Sequence, residues 1–183
     1  MKFQTVLLCL AMIIMTFAKA NAQDEEKKWS STPFEIKTVE AQKALVMKAD
    51  VPMSDISTKM GEIYQATFSY VMENNIQPAG PAIAIYNSWD PEGNIVFEAG
   101  VPVASKAEGK GDIILKEYPE MKVLTTLYTG SYENMEPVYN KLMQYVKDEE
   151  LEWTGVTWEV YLTDPQAVKD PAMNKTIIYF CLK

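Results

Sequence analysis

From Val156 to Leu162 the chain alternates polar and apolar side chains. As a strand, this run puts Thr157, Glu159 and Tyr161 on one face and Val156, Trp158, Val160 and Leu162 on the other. The second face is wholly apolar and reads as the core side, packed under the helices. Glu159 then projects from the opposite, concave face beside Tyr161. The strand holds no Lys or Arg to neutralise it. A lone carboxylate among tyrosines suits a cation, because aromatic faces attract positive charge and the carboxylate supplies the long-range attraction. Burying such a carboxylate unpaired is expensive, so the pocket is expected to stay wet or protonate until a cation or a hydrogen-bond donor arrives. The plainer alternative is a solvated strand carboxylate.

Further aromatic residues qualify as ligand contacts. Tyr86 falls on the same face as Tyr161 by the same count, either in the pocket or as an ordinary cross-strand aromatic. Trp89, beside Asp90-Pro91, is a groove-rim residue or a loop anchor. Tyr128 and Tyr132 flank Gly130, where the missing side chain permits close backbone approach; structural duty competes with ligand contact at both. Glu98 could add a second negative charge to the cleft, although a hairpin carboxylate is usually solvated. Trp153 reads as a packing residue and Cys181 as a small buried hydrophobe.

Much chemistry is excluded. The 183 residues contain no histidine and two cysteines, so there is no Ser-His-Asp triad, no Cys-His dyad and no Cys-rich zinc module. No metal or cofactor is expected. The net charge is −8. Nucleic acid is a poor partner for a chain with that balance and no basic tract.

The N-terminus decides the compartment. Lys2 precedes an apolar run from Val6 to Ala18, and Ala20-Asn21-Ala22 follows as a small-x-small pattern. That is the layout of a cleaved secretory signal over residues 1–22, and the run is too short for a membrane span of about 20 apolar residues. Removal of Lys2 and Lys19 leaves 15 basic against 25 acidic residues, a net charge of −10. With Cys181 alone remaining, no internal disulfide can form, which fits a bacterial periplasm. Residues 23–34, with the charged run Asp24 to Lys28, read as a flexible tether to a single domain over 35–183. No membrane span is expected after signal removal, and the protein is expected to be a monomer.

The elements that must position these residues come in two similar sets. A shift of 75 positions aligns Met60 with Met135, Tyr64 with Tyr139, Gly80 with Gly155 and Tyr86 with Tyr161. In the first half (about 35–105), Glu35 to Lys48 is a strand candidate. Ser54 can cap a helix whose apolar stripe includes Ile56, Met60, Ile63, Tyr64, Phe68 and Val71, and Asn74-Asn75 ends it. Strands follow at Ala82–Ser88 and Ile95–Val103. In the second half (about 112–183), Met121–Thr129 is a strand, and Val138, Tyr139, Leu142 and Tyr145 mark a helix with Pro137 in its first turn. Val156–Leu162 and Thr176–Leu182 close the set. The expected fold is α+β: tandem β-α-β-β repeats about a pseudo-twofold, with an antiparallel sheet, two helices on one side and a ligand groove between the halves.

Four segments resemble one family in their order and spacing: Pro81 to Tyr86, Phe97 to Val103, Tyr128-Thr129-Gly130-Ser131-Tyr132, and Trp158 to Pro165. The chain from about Glu35 to its end is similar to GyrI-like proteins, the effector-binding domains of multidrug-responsive transcription activators, which also occur alone. The resemblance implies the tandem fold and a groove for bulky, often cationic aromatic compounds, with a Glu at the position of Glu159 facing the ligand among aromatic residues. A signal peptide stands where the regulators carry their DNA-binding segment, so transcriptional control does not carry over. Three functions follow as expectations. The first is an exported protein that holds hydrophobic or cationic small molecules. The second is a hydrolase of strained-ring or xenobiotic compounds with Glu159 as general acid/base. The third is a protein-interaction module, as in gyrase-inhibiting relatives.

Overall fold

Strands form where β-branched and aromatic residues run between turn residues: β1 Trp29–Ser31, β2 Glu35–Val39, β3 Gln42–Pro52, β4 Ala82–Ser88, β5 Asn94–Pro102, β6 Ile114–Tyr118, β7 Met121–Gly130, β8 Trp153–Tyr161 and β9 Lys175–Leu182. The computed structural model describes residues 29–88, 93–104, 107–164 and 167–183. The two longer helices are α1, Ile56–Glu73, and α2, Glu136–Asp148. Helix α1 buries Ile63, Thr67 and Val71, one residue per turn, and Asn75 adopts a positive φ just past its end. Pro137 lies in the first turn of α2, where its missing N–H has no helical partner to lose.

All the strands join one antiparallel sheet in the order β1-β7-β9-β8-β4-β5-β3-β6, with β2 also on β7. The strands β7, β9 and β8 of the second half mirror β3, β5 and β4 of the first, and β4 meets β8 at the centre. Their register sets Ala84 opposite Glu159, with Ala82 opposite Tyr161 and Tyr86 opposite Thr157 on either side.

The connections force the sheet to curl. Two residues join β2 to β3 and two join β6 to β7, yet each pair lies six strand positions apart. A flat sheet would separate them by roughly 29 Å, whereas such a link reaches about 11 Å. The inside of the curl is the face of Trp158. Trp158 packs there with Ile83, Ile85 and Tyr179, and with Val46, Tyr118 and Val123 from the two ends of the sheet.

This overturns the face assignment made from the sequence. The apolar Trp158 face is core, but not because helices cover it; the curl buries it. Both helices pack on the other face. Ile63 of α1 sits against Ala84, Phe97 and Ala99. Val138 and Leu142 of α2 sit against Ile178 and Phe180. Glu159, between Ala84 and Ile178, therefore lies beneath the helices rather than on a free concave face.

Three boundaries also move. Residues 29–31, assigned to the tether, are strand β1, because Trp29 stacks on Tyr128 at 6.1 Å and Lys141 lies over its ring at 4.8 Å. The candidate strand from Glu35 to Lys48 divides at Glu40-Ala41, and its parts pair at opposite ends of the sheet. Ser54 makes no helix-capping bond; its hydroxyl bonds Asp55. The signal segment lies outside the described residues.

Candidate functional site

Glu159 stands at the middle of the central strand pair and is 6% exposed. Three phenols donate to it. Tyr139, from α2, donates to Oε1; Tyr86, from β4, donates to Oε2 at 3.3 Å; Tyr161, two residues along β8, donates to the same oxygen. The hydroxyls of Tyr86 and Tyr161 lie 3.2 Å apart. Among the described residues no lysine pairs with Glu159, since the lysines that form salt bridges do so with Glu35, Glu62, Glu98, Glu117 and Glu152.

An aromatic shell surrounds this centre. The ring of Tyr64, from α1, stands edge-on to Tyr161 at 6.1 Å, and its hydroxyl donates to the carbonyl of Ile83 at 3.0 Å. Tyr132 stands edge-on to Tyr161 at 5.7 Å. Phe68 lies 6.3 Å from Tyr64. Phe68 and Tyr132 are each more than a third exposed, so they form the outer edge of the cluster.

Burial dominates the electrostatics. It pushes the Glu159 carboxyl above its ordinary range, and the bonds from Tyr139, Tyr161 and Tyr86 only partly offset that. Burial first, and the nearby carboxylate second, lift Tyr86, Tyr132, Tyr139 and Tyr161. Tyr64 also rises, through burial and then through Tyr86 and Glu159. The tyrosines therefore remain neutral donors across ordinary pH. Glu159 is the carboxylate that these phenols hold, and Asp164 adds its negative charge near Tyr132.

Of the sequence candidates, Glu159, Tyr161, Tyr86 and Tyr132 are brought together. Tyr128 is not: it is fully buried, donates to the carbonyl of Ser131 at 2.7 Å and belongs to the core under α2. Trp89 lies outside the described residues. Glu98 is no second charge in this cleft. It shares the other face with Ile85 and Trp158, paired with Lys116 at 2.6 Å and bonded by Tyr118 at 2.9 Å. Trp153 stacks on Phe180 at 4.9 Å, and Cys181 is buried with its sulfur 3.5 Å from that of Met121.

Sequence reasoning missed Tyr64 and Tyr139 as site residues, because each sits at a core position of a helical stripe. The signal was present: both are repeat partners, like Tyr86 and Tyr161. A separate cavity of about 450 Å³ opens beside β2 and β7, lined by residues including Phe34, Lys37, Thr125 and Leu127. Its charged residues, Glu35 and Lys37, pair with each other at the surface, so the distinctive chemistry lies at Glu159. Among the described residues, no group of three metal-ligating side chains occurs, and no helix is long and apolar enough to cross a membrane.

Comparison with known proteins agrees with this fold. The GyrI-like small molecule binding domain matches residues 32–183. The C-terminal domain of EcmrR has the same fold, with a TM-score of 0.74 at 20% identity over 82% of this chain and 97% of that one. A hydrolase from Listeria innocua gives 0.59 at 13% identity over 82% and 91%. SAV2435, solved bound to tetraphenylphosphonium, gives 0.56 at 7% identity over 83% and 94%. No curated protein matches the sequence.

Proposed function

Since the chain belongs to the GyrI-like small-molecule-binding family, we propose that it is an exported, monomeric protein that holds hydrophobic, cationic aromatic compounds at Glu159. The observation that carries this reading is the buried carboxylate with three phenols and no basic partner. A carboxylate in that setting is costly to ionise, and a lipophilic cation relieves the cost while the rings of Tyr64, Tyr132 and Tyr161 supply stacking area. The neighbour that carries tetraphenylphosphonium supports the same ligand class. Export rests on the leader pattern of residues 1–22, and the processed form should begin at Gln23.

The test uses two ions of one shape, tetraphenylphosphonium and tetraphenylborate, followed by tyrosine and tryptophan fluorescence. Wild type should bind the cation and discriminate against the anion. Glu159→Gln removes the charge at constant shape, and a charge-assisted contact is worth about 1.5–3 kcal/mol, so cation affinity should fall by about one to two decades. Equal affinity in both proteins would reduce Glu159 to a structural residue.

One observation favours a second reading. A carboxyl with raised proton affinity is what a general acid needs, and one fold neighbour is a hydrolase. A hydrolase would lose turnover in Glu159→Gln while keeping substrate affinity within a few-fold.

A further inference from the structure

The row of side chains through Glu159 continues across β9. Ile178 is opposite Glu159, and Thr176 is opposite Tyr161. Ile178 packs against Val138 and Leu142 of α2, so Thr176 lies on the same helix-covered face by alternation, and Asn174 is the extended residue just ahead of β9. Thr176 is fully buried and Asn174 is 3% exposed. The Oγ1 of Thr176 and the Oδ1 of Asn174 are both buried without a hydrogen-bond partner.

The backbone at Asn174 is fully engaged. Its N–H donates to the carbonyl of Pro171, and its carbonyl accepts from the N–H of Gly130, at 2.9 Å. Only the side chain is left over. Buried polar atoms are almost always paired, because an unpaired one forfeits its hydration with nothing in return. Two orphans two residues apart, one of them opposite Tyr161 on the binding face, are therefore informative. The remaining orphan, Thr125 Oγ1, belongs to a residue opposite Tyr179, on the Trp158 side of the sheet, and does not join them.

We propose that Asn174 and Thr176 form a polar arm of the Glu159 site that accepts a hydrogen bond from an N–H or O–H group of the ligand. The preferred ligand is then a lipophilic cation that also carries a hydrogen-bond donor, placed to bridge two residues whose backbones stand roughly 7–8 Å apart on the diagonal from Glu159 to Thr176. The amide oxygen of Asn174 only accepts and the hydroxyl of Thr176 can accept, so one donor group on the ligand can serve both. The proposal rests on the reading of Glu159 as the cation site and adds a second requirement to it.

A matched pair of probes separates the two. Tetraphenylphosphonium has no donor, and (4-aminophenyl)triphenylphosphonium differs by one amino group. Wild type should bind the amino compound more tightly, by roughly three- to tenfold for one added hydrogen bond. Thr176→Val and Asn174→Leu should each shrink that preference and leave tetraphenylphosphonium affinity within twofold, whereas Thr176→Ser, which keeps the hydroxyl, should retain it. Equal binding of the two cations by wild type overturns the polar arm while the cation site stands. A preference that survives in both Thr176→Val and Asn174→Leu overturns it as well. If neither cation binds wild type, the cation site fails and the arm fails with it.

Discussion

Tyr139→Phe removes one hydroxyl from the site and nothing else. Among the described residues Tyr139 alone donates to Oε1 of Glu159, while Tyr86 and Tyr161 share Oε2. The variant strips one carboxylate oxygen of its donor. When Glu159 is ionised the lost bond is charge-assisted and worth about 1.5–3 kcal/mol; when Glu159 is protonated it is a neutral bond worth about 0.5–1.5 kcal/mol. The cost of the substitution should therefore be greater at pH 8.5 than at pH 4, by about 1 kcal/mol or more. Burial raises the carboxyl in the folded state above its unfolded value, and the sign follows from the Tyr139 bond, which opposes that rise and is lost in the variant. The folded state then binds the proton more tightly, so Glu159 contributes most below the unfolded pKa. That contribution is lost as pH rises through the folded pKa, and Tyr139→Phe carries the loss to higher pH. Urea unfolding of wild type and variant at both pH values, followed by tryptophan fluorescence, reads the difference. Tyr64→Phe is the control, since it removes a phenol that donates to the neutral carbonyl of Ile83 and should cost the same at both pH values. If Tyr139→Phe also costs the same at both, the hydroxyl is not serving an ionising carboxylate and the electrostatic argument fails.

Gly130→Ala should destabilise the fold by about 1–3 kcal/mol in thermal or urea melts, because a Cβ there would lie 2.5 Å from the Tyr128 hydroxyl and 2.8 Å from Cβ of Trp29. Thr176→Val should stabilise the ligand-free protein by about 1 kcal/mol or more, read as a higher Tm, since it replaces an unpaired buried hydroxyl with a methyl. Cation affinity should rise with pH through the elevated titration range of Glu159 and then level off, and calorimetry in buffers of different ionisation heat should detect proton release on binding; in Glu159→Gln both effects should vanish.

Local pattern carried most of the elements. The apolar stripes of α1 and α2 and the alternation in β7, β8 and β9 were legible because each is long and periodic. The repeat match located Tyr86 and Tyr161 on one face, and they do meet, hydroxyl to hydroxyl. What pattern could not supply was the curl. Alternation separates two faces of a strand but does not say what covers each one. The Trp158 face is covered by the sheet itself, a consequence of two-residue links between distant strands. The same blindness explains Glu98, which is a hairpin carboxylate in sequence but is paired to Lys116 inside the curl. Tyr128 beside Gly130 looked like a ligand residue, yet the glycine is needed for the approach of Tyr128 and Trp29 to the turn. Tyr64 and Tyr139 were hidden by their own helices, since a tyrosine in an apolar stripe can serve the core and the site at once.

The central register places Ala84 opposite Glu159, at positions related by the same shift that relates the two halves. A second acid at 84 would set two carboxylates side by side, roughly 5 Å apart at their Cβ atoms, a pair that a divalent cation could neutralise together. With alanine there, Glu159 is the one carboxylate of the central strand pair. A monovalent guest leaves it neutral. A divalent guest of the same outline leaves a full positive charge at a buried, phenol-walled site, at a steep cost. For the proposed cation site, shape-matched monocations and dications should thus be sorted by charge, with the small methyl of Ala84 keeping a second carboxylate from the position opposite Glu159.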